Sequence, residues 1–249
     1  MDEIKDKISI VTICYNCKED LEKTIKSVVS QTYPNIEYII IDGGSSDGTL
    51  GVLEEYKEHF AFCVSEPDDG VYDAMNKGIR HCTGEWILCL NAGDVLYDEA
   101  VLSKIFEKKI SDDISFIYSN VTVYHENGDD ELLVANRHNG DVHHQNAIYR
   151  RNLHARYGYY IVTHPYIISD LLFFLAVPEE MYQKTDILIS KIKYGGLSCQ
   201  PWCAEQVSAA KVIYGYDTIP HIFYMYVRLH FSLFRKNVKD RINRLLRLS

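Results

Sequence analysis

Gln31-Thr-Tyr-Pro-Asn-Ile-Glu-Tyr-Ile-Ile-Ile-Asp-Gly-Gly-Ser-Ser-Asp-Gly-Thr49 passes from a stop signal through a short apolar run into a polar loop. Tyr33-Pro34 ends a preceding helix, because the residue before a proline is pushed out of the α region. Glu37 to Ile41 is rich in isoleucine and too short for a lone helix, so it reads as a buried strand. The loop Asp42-Gly43-Gly44-Ser45-Ser46-Asp47-Gly48 then leads into a helix predicted from near Asp47 to near Glu58. Strand, polar loop and helix in that order form the repeating unit of a parallel sheet with helices on both faces.

The unit recurs on either side. Ile8 to Cys14, Ala61 to Val64, Glu85 to Leu90 and Ser115 to Tyr118 are further strand-like runs. Leu21, Ile25, Val28 and Val29 fall at helical spacing between the first two strands, and Val71, Ala74, Met75 and Ile79 mark a helix from Val71 to His81 that Thr83-Gly84 closes. The first half is therefore expected to be α/β. From about Asn120 the regularity fades, and Gly128-Asp129-Asp130 marks a hairpin or loop. The expected organisation is 1–119, then 120–215 as an acceptor subdomain of the same domain, then 216–249 as a separate arm.

Composition narrows the function. A chain of 249 residues with 47% hydrophobic and 24% charged residues is that of a globular domain, not a miniprotein or a disordered chain. Its net charge of -9 argues against a nucleic-acid partner. Met1 to Lys7 carry no signal-peptide pattern, and the longest apolar candidate, Ile219 to Phe234, is broken by His221, Arg228 and His230, so a cytoplasmic protein without a spanning helix is expected. Seven cysteines, an odd number, suggest reduced thiols. Cys14, Cys63 and Cys89 sit in apolar runs as small hydrophobes. Cys14 and Cys17 with Cys199 and Cys203 could imitate a zinc site, but core and loop thiols are the better reading.

Ligands of open parallel sheets bind beyond the carboxyl ends of the strands. There the sequence places Tyr15-Asn16, Asp42 to Gly48, Glu66-Pro67-Asp68-Asp69-Gly70 and Asn91-Ala92-Gly93-Asp94. So many acids on one rim repel one another and call for a cation, basic ligand groups or solvent. Neither a Gly-x-x-x-x-Gly-Lys-Ser/Thr loop nor Gly-x-Gly-x-x-Gly is present, which leaves a nucleoside diphosphate held through metal.

Ile8 to Asn16, Gln31 to Thr49, Asp69-Gly-Val-Tyr-Asp-Ala-Met-Asn-Lys-Gly78 and Gly84-Glu-Trp-Ile with Leu90-Asn-Ala-Gly-Asp94 together resemble the family 2 glycosyltransferases of GT-A fold. The resemblance covers the first hundred residues and weakens beyond 120. It implies inverting transfer of a sugar from a nucleoside diphosphate donor, UDP before GDP or dTDP, to an acceptor hydroxyl in envelope or capsule glycan assembly. Residues 1–119 would then bind the nucleotide sugar.

Carried onto this chain, the family pattern puts Thr12, Tyr15 and Asn16 around the nucleobase and Asp42 on its imide hydrogen. The local alternative for Asp42 is an Asx turn starting the Gly43-Gly44 loop. Asp47 reads as a cap for the next helix. Asp69, Asn76 and Lys77 would line the ribose and diphosphate, although Lys77 could equally be a solvated helix position. Asn91 would meet a ribose hydroxyl. Asp94 would bind a divalent metal, Mn or Mg, that neutralises the departing diphosphate. The motif departs from the common Asp-x-Asp-Asp form at Asn91 and Gly93.

Asp170 resembles the family's general base, with Ser169 where a Glu commonly precedes it; its local alternative is an N-cap for Leu171 to Ala176. His144 and Gln145 resemble the floor of the acceptor site, with weaker cases for His143 and His164. Gln-x-x-Arg-Trp, the mark of processive synthases, is absent before Trp202, which favours single addition. Phe223, Tyr224, Tyr226, Phe231 and Phe234 interleave with Arg228 and His230, and the segment from 228 onward holds seven Lys or Arg against Asp240. Such a tail, 221–249, suits a membrane interface or a second subunit, and the acceptor would be a glycan, free or lipid-linked. Two competing readings remain: a binding-only protein of the same fold, and a sugar nucleotidyltransferase, for which Tyr15-Asn16-Cys17-Lys18 lacks the expected glycine-rich basic loop.

Overall fold

The computed structural model describes residues 6–125, 128–163, 167–196, 201–224 and 226–228. Strand β1 (Ile8–Cys14) is buried along its whole length, as an apolar strand covered on both faces must be. It pairs in parallel with β2 (Ile36–Asp42) and with β4 (Trp86–Cys89), and β2 pairs in parallel with β3 (Phe62–Ser65). Beyond β4 the sheet continues through β9 (Ala147–Arg150), β6 (Phe116–Tyr118) and β10 (Tyr182–Lys184), giving the order β10-β6-β9-β4-β1-β2-β3. Only β9 runs against its neighbours, and the other pairings are parallel. Both halves of the chain thus build one mainly parallel sheet. The strand order changes direction at β1 and β4, which is where such sheets open a crevice at their carboxyl ends.

Alternation along β1 decides which helix covers which face. Ile8 and Ile10 pack with Leu21, Ile25 and Val28 of α1 (Lys18–Val29), together with Trp86 and Leu88. Val11 faces the other way, joining Ile39 and Ile41 against Met75 and Ile79 of α3 (Val71–His81). Gly78 lets α3 lie directly on β1, because a Cβ there would come within 2.3 Å of Val11 Cγ1. The charge of Glu37, 7% exposed, is answered by Lys7 Nζ at 2.7 Å, Ser9 Oγ at 2.5 Å and Thr83 Oγ1 at 2.6 Å. Burial alone would raise this carboxyl, but those bonds outweigh it and hold it at about 2.

Helix α2 (Thr49–Glu55) follows the β2 loop. The irregular half holds a second sheet of short strands, β5 (Val95–Leu96), β11 (Ser190–Lys193), β7 (Val121–Tyr124) and β8 (Glu131–Leu133), in that order. The turn expected at Gly128 to Asp130 connects the antiparallel pair β7 and β8. Helices α4 (Val101–Ile105), α5 (Leu153–Tyr157), α6 (Ser169–Ala176) and α7 (Pro201–Ile213) complete the architecture, with Leu171 and Leu175 of α6 packed on Ala210 of α7.

Cys63 corrects one expectation. It is exposed rather than in the core, because β3 is an edge strand whose residues alternate in burial. Cys14, Cys17, Cys63, Cys82 and Cys89 are free thiols. Cys199, His164, the Trp202 side chain and residues 229–249 of the tail lie outside the described residues. No helix among the described residues is long and apolar enough to cross a membrane.

Candidate active site

The β1–α1 loop and the β2–α2 loop lock together at the carboxyl edge of the sheet. Asn16 adopts a left-handed backbone (φ 47), a conformation Asn tolerates better than most residues. Its N–H donates to Ser45 Oγ at 2.7 Å, and its Oδ1 accepts from the Ser46 N–H at 2.8 Å. Asp47 accepts from the Thr49 N–H at 3.0 Å and from the Lys18 N–H at 3.2 Å, so one carboxylate serves the first turns of both α2 and α1. Asp42 is fully buried and accepts from Ser45 N–H, Ser45 Oγ and Ser65 Oγ at 2.9, 2.5 and 2.6 Å. Burial would raise its carboxyl, but these donors hold it below the usual carboxylate range. In this arrangement Asp42 organises the loop, as the Asx-turn alternative anticipates. Thr12 is likewise buried, its Oγ1 bonded to Tyr38 Oη at 3.1 Å, so it supports the rim from beneath.

Above this floor lies an open cleft of about 780 Å³ lined by Tyr15, Gly43, Pro67, Asp68, Asp69, Gly70 and Val162. The Tyr15 ring is 64% exposed there, a flat surface free to stack on a planar ligand. Asp68 closes one side: its Oδ1 accepts from the Gly70 N–H at 2.8 Å, and its Oδ2 would lie 2.7 Å from a Cβ at Gly43. Glycine at 43 therefore lets the two loops approach. The structure brings Tyr15 and Asp69 to this cleft but sets Asn76 apart from it. Asn76 is 2% exposed, and its amide both donates to Tyr160 O at 2.7 Å and accepts from Tyr160 N–H at 3.0 Å. Lys77 holds the wall from outside, bonding Pro67 O at 3.1 Å and pairing with Glu66 at 3.0 Å and Asp73 at 3.3 Å.

A second cluster joins residues far apart in sequence. His144 Nδ1 lies 2.8 Å from Asp170 Oδ2, Tyr72 Oη donates to Asp170 Oδ1 at 2.7 Å, and Asn91 Nδ2 lies 3.1 Å from His144 Nε2. Asp170 is the second residue of α6, and the position before the helix is Ile168, so the carboxylate is not the cap. Burial opposes its ionisation, but the bonds from His144 and Tyr72 prevail and hold it below the usual range. Tyr72 is pushed well above the usual phenol range by burial and by the charge of Asp170, which keeps it a hydrogen-bond donor. Gly70 lines the cleft and Tyr72 lies two residues on, so the turn into α3 connects the two clusters.

Asp94 is 6% exposed, and burial pushes its carboxyl up to about 6. Its partial compensation comes from the Lys193 N–H at 3.0 Å, the nearby His144 ring and the Gln145 side chain. The Lys193 ammonium itself is engaged by both oxygens of Asp20, at 2.9 and 2.8 Å. A buried carboxylate stabilised mainly by dipoles fits a hard divalent cation, which takes oxygen ligands and keeps positions for water and phosphate. No group of three or more His, Cys, Asp or Glu among the described residues forms a complete cage, so phosphate oxygens and water would have to supply the remaining ligands.

Sequence reasoning missed Tyr72, Asp68 and Val162 as site residues. Tyr72 and Asp68 belong to segments already singled out, but nothing local distinguishes a phenol aimed at Asp170 from one in a core. Residues 9–167 match the sequence profile of Glycosyl transferase family 2. The chain belongs to that family. An uncharacterized glycosyltransferase of Mycobacterium tuberculosis is 41% identical over 101 residues, 40% of this chain and 38% of the relative. The poly-beta-1,6-N-acetyl-D-glucosamine synthase of Staphylococcus epidermidis is 36% identical over 115 residues, covering 45% of this chain and 28% of the synthase. A PGL/p-HBAD biosynthesis glycosyltransferase of Mycobacterium bovis is 31% identical over 165 residues, covering 61% and 62%. The chain spans less than two thirds of the length of each of these relatives. Among solved structures, S. aureus TarS 1–349 with UDP-GlcNAc superposes with a TM-score of 0.68 at 16% identity, covering 84% of this chain and 65% of TarS. The mannosyltransferase PcManGT of Pyrobaculum calidifontis with GDP-Man and Mn2+ gives 0.61 at 14% identity, covering 92% and 81%. These likenesses establish the GT-A fold.

Proposed function

We propose that this family 2 glycosyltransferase transfers a single sugar from a UDP-sugar to an acceptor hydroxyl with inversion, at the cytoplasmic side of envelope or capsule glycan assembly. The observation that carries the reading is the geometry of the Asp170 carboxyl, held on both oxygens by Tyr72 and His144 while His144 also contacts Asn91 of the Asn91–Asp94 motif. Single displacement at an anomeric carbon requires a base on the acceptor side and charge neutralisation on the leaving-group side. In this assignment Asp170 accepts the acceptor's hydroxyl proton as the new C–O bond forms and the bond to the diphosphate breaks. The Tyr15 cleft holds the base, with Asp69 at the ribose. Asp94 would hold Mn or Mg, and the cation would neutralise the departing diphosphate. His144 and Gln145 would border the acceptor.

UDP is favoured by the fold shared with UDP-GlcNAc-bound TarS, and metal use by the Mn2+-bound mannosyltransferase. The relatives in polysaccharide and glycolipid synthesis favour a glycan or lipid-linked acceptor. The test is a panel of UDP-, GDP- and dTDP-sugars with Mn, read as nucleotide release and as the anomeric configuration of the product. Asp170→Asn should lower turnover by about 10²–10⁴-fold with donor affinity unchanged. Retained turnover would refute the base. Donor binding without turnover by the unaltered chain, across lipid and glycan acceptors, would favour the binding-only reading.

A further inference from the structure

Among the described residues that line the donor cleft, all lie between Tyr15 and Gly70 except Val162, which falls between α5 and α6 in the chain. What holds Val162 there is polar and buried. The Asn76 amide donates to Tyr160 O at 2.7 Å and accepts from Tyr160 N–H at 3.0 Å, pairing with that backbone as a neighbouring strand would. The Tyr160 ring anchors the same residue, buried against Tyr72, His154 and Phe173 with its hydroxyl 3.2 Å from that of Tyr149. Ile161, the next residue, donates its N–H to Ser169 Oγ at 2.5 Å. Ser169 donates its own N–H to Tyr72 Oη at 2.9 Å, and Tyr72 donates to Asp170. Tyr72 and Asn76 stand one turn apart on the same face of α3. The hydrogen bonds therefore close a ring from Asn76 through Tyr160, Ile161 and Ser169 to Tyr72 and back along α3. Asn76 and Ser169 are both buried, and neither lines the cleft.

We propose that Asn76 and Ser169 are positioning residues for nucleotide binding, which hold residues 160–162 as a strap and so present Val162 to the nucleotide in the cleft. The inference rests on the glycosyl-transfer reading for the identity of that ligand. Val162 is 45% exposed, so a nucleotide seated in the cleft covers apolar surface there. That contact favours binding only where the backbone is already fixed, because ordering a loose segment on binding would cost conformational entropy that offsets the gain. The bonds to Tyr160 and Ile161 fix it beforehand. Ser169 stands where the family motif commonly has Glu, and the departure has a use in this chain: a hydroxyl on Cβ meets the Ile161 N–H directly. Asn76, expected from its motif to touch the ribose and diphosphate, acts on the donor through Val162 instead. The same ring of bonds carries the restraint on Asp170, so the strap ties the donor cleft to the acceptor-side base.

The experiment is titration calorimetry of UDP, GDP and dTDP with Mn against the full chain, Ser169→Ala, Val162→Ala and the double variant. Each single change should weaken the bound nucleotide about 3–10-fold, the loss of one hydrogen bond or of one apolar contact. The double variant should be no more than about 2-fold weaker than the weaker single one, because Val162 contributes nothing once the strap is loose. Losses that multiply instead, or an unchanged constant in a folded Ser169→Ala chain, overturn the proposal. A second measurement needs no variant: in the nucleotide-free wild type, the amides of Tyr160 and Ile161 should exchange hydrogen about 100-fold or more slowly than an open loop. Exchange at open-loop rates overturns the strap even if Ser169→Ala fails to fold. A wild type that binds none of the three nucleotides overturns the donor reading and the proposal together, whereas binding that Ser169→Ala leaves unchanged overturns the proposal alone.

Discussion

Replacing Asp94 with Asn should stabilise the protein in the absence of metal and nucleotide. The carboxyl lies 6% exposed and burial pushes it up to about 6, against about 4 in an unfolded chain. That difference corresponds to about 3 kcal/mol held against the folded state above pH 6. The sign follows from proton binding: between about pH 4 and 6 the folded chain carries the Asp94 proton and the unfolded chain does not, so stability falls as pH rises through that window and is level above it. Asn has no charge to bury, keeps an oxygen for the Lys193 N–H, and can meet the Gln145 amide after that group turns. Thermal unfolding in EDTA at pH 8 should therefore show a midpoint about 6–12 °C higher for Asp94→Asn, at about 2–4 °C per kcal/mol for a chain of this size. At pH 4 the two midpoints should converge. Adding Mn and UDP should raise the midpoint of the unaltered chain and leave that of the variant nearly in place. A variant no more stable than the parent at pH 8, or an equal gap at pH 4 and pH 8, would refute the claim that Asp94 is an unneutralised buried charge.

Gly78→Ala should destabilise the fold by about 1–3 kcal/mol, because the new methyl would lie 2.3 Å from Val11 Cγ1 and 3.3 Å from Ile41 Cγ1, outweighing a helix-propensity gain of about 1 kcal/mol. Chemical denaturation checks it, and Val11→Ala in the same chain should recover part of the loss if that contact is the cause. At the other end of the molecule, helical residues 219–224 and 226–228 leave Ile219, Phe223, Tyr226 and Val227 exposed, and the segment from 228 onward carries seven Lys or Arg against Asp240. Deleting 221–249 should abolish co-sedimentation with anionic phospholipid vesicles. Undiminished sedimentation would mean that this tail is not the lipid contact, and a change of mass in solution would assign it to a second copy instead.

Much of the donor-side architecture was legible from local pattern. Ile8 to Cys14 and Val71 to His81 read off the sequence coincide with β1 and α3, and the other strands of the first half differ by a residue or two at their ends. Such segments declare themselves because a strand buried on both faces must be continuously apolar and a helix on a sheet must repeat its apolar face every three to four residues. Asp47 as a helix-start residue was local in its bond to Thr49, two positions on, but not in its bond to Lys18, 29 positions back. The second sheet was not legible: β5 has two residues, and β8 and β11 are largely exposed or half-exposed and carry no continuous apolar run, unlike the equally short but fully buried β4 and β6.

Strand, polar loop and helix repeated along a mainly parallel sheet, with acids gathered on the carboxyl rim, follow from residues close together in the chain and are therefore written in its local pattern. What the polar side chains do depends instead on the assembled fold. Asn76, named from its motif as a ligand contact, turns inward to hold the Tyr160 backbone, and Tyr72, with no local sign of function, reaches Asp170 across 98 positions. The antiparallel insertion of β9 between β4 and β6 brings the segment just before it, with His144, beside Asn91, and α6 returns Asp170 to the same place. Burial pattern is written locally because each residue meets its own side of the sheet, whereas hydrogen-bond partnership depends on which distant loop comes back to that edge.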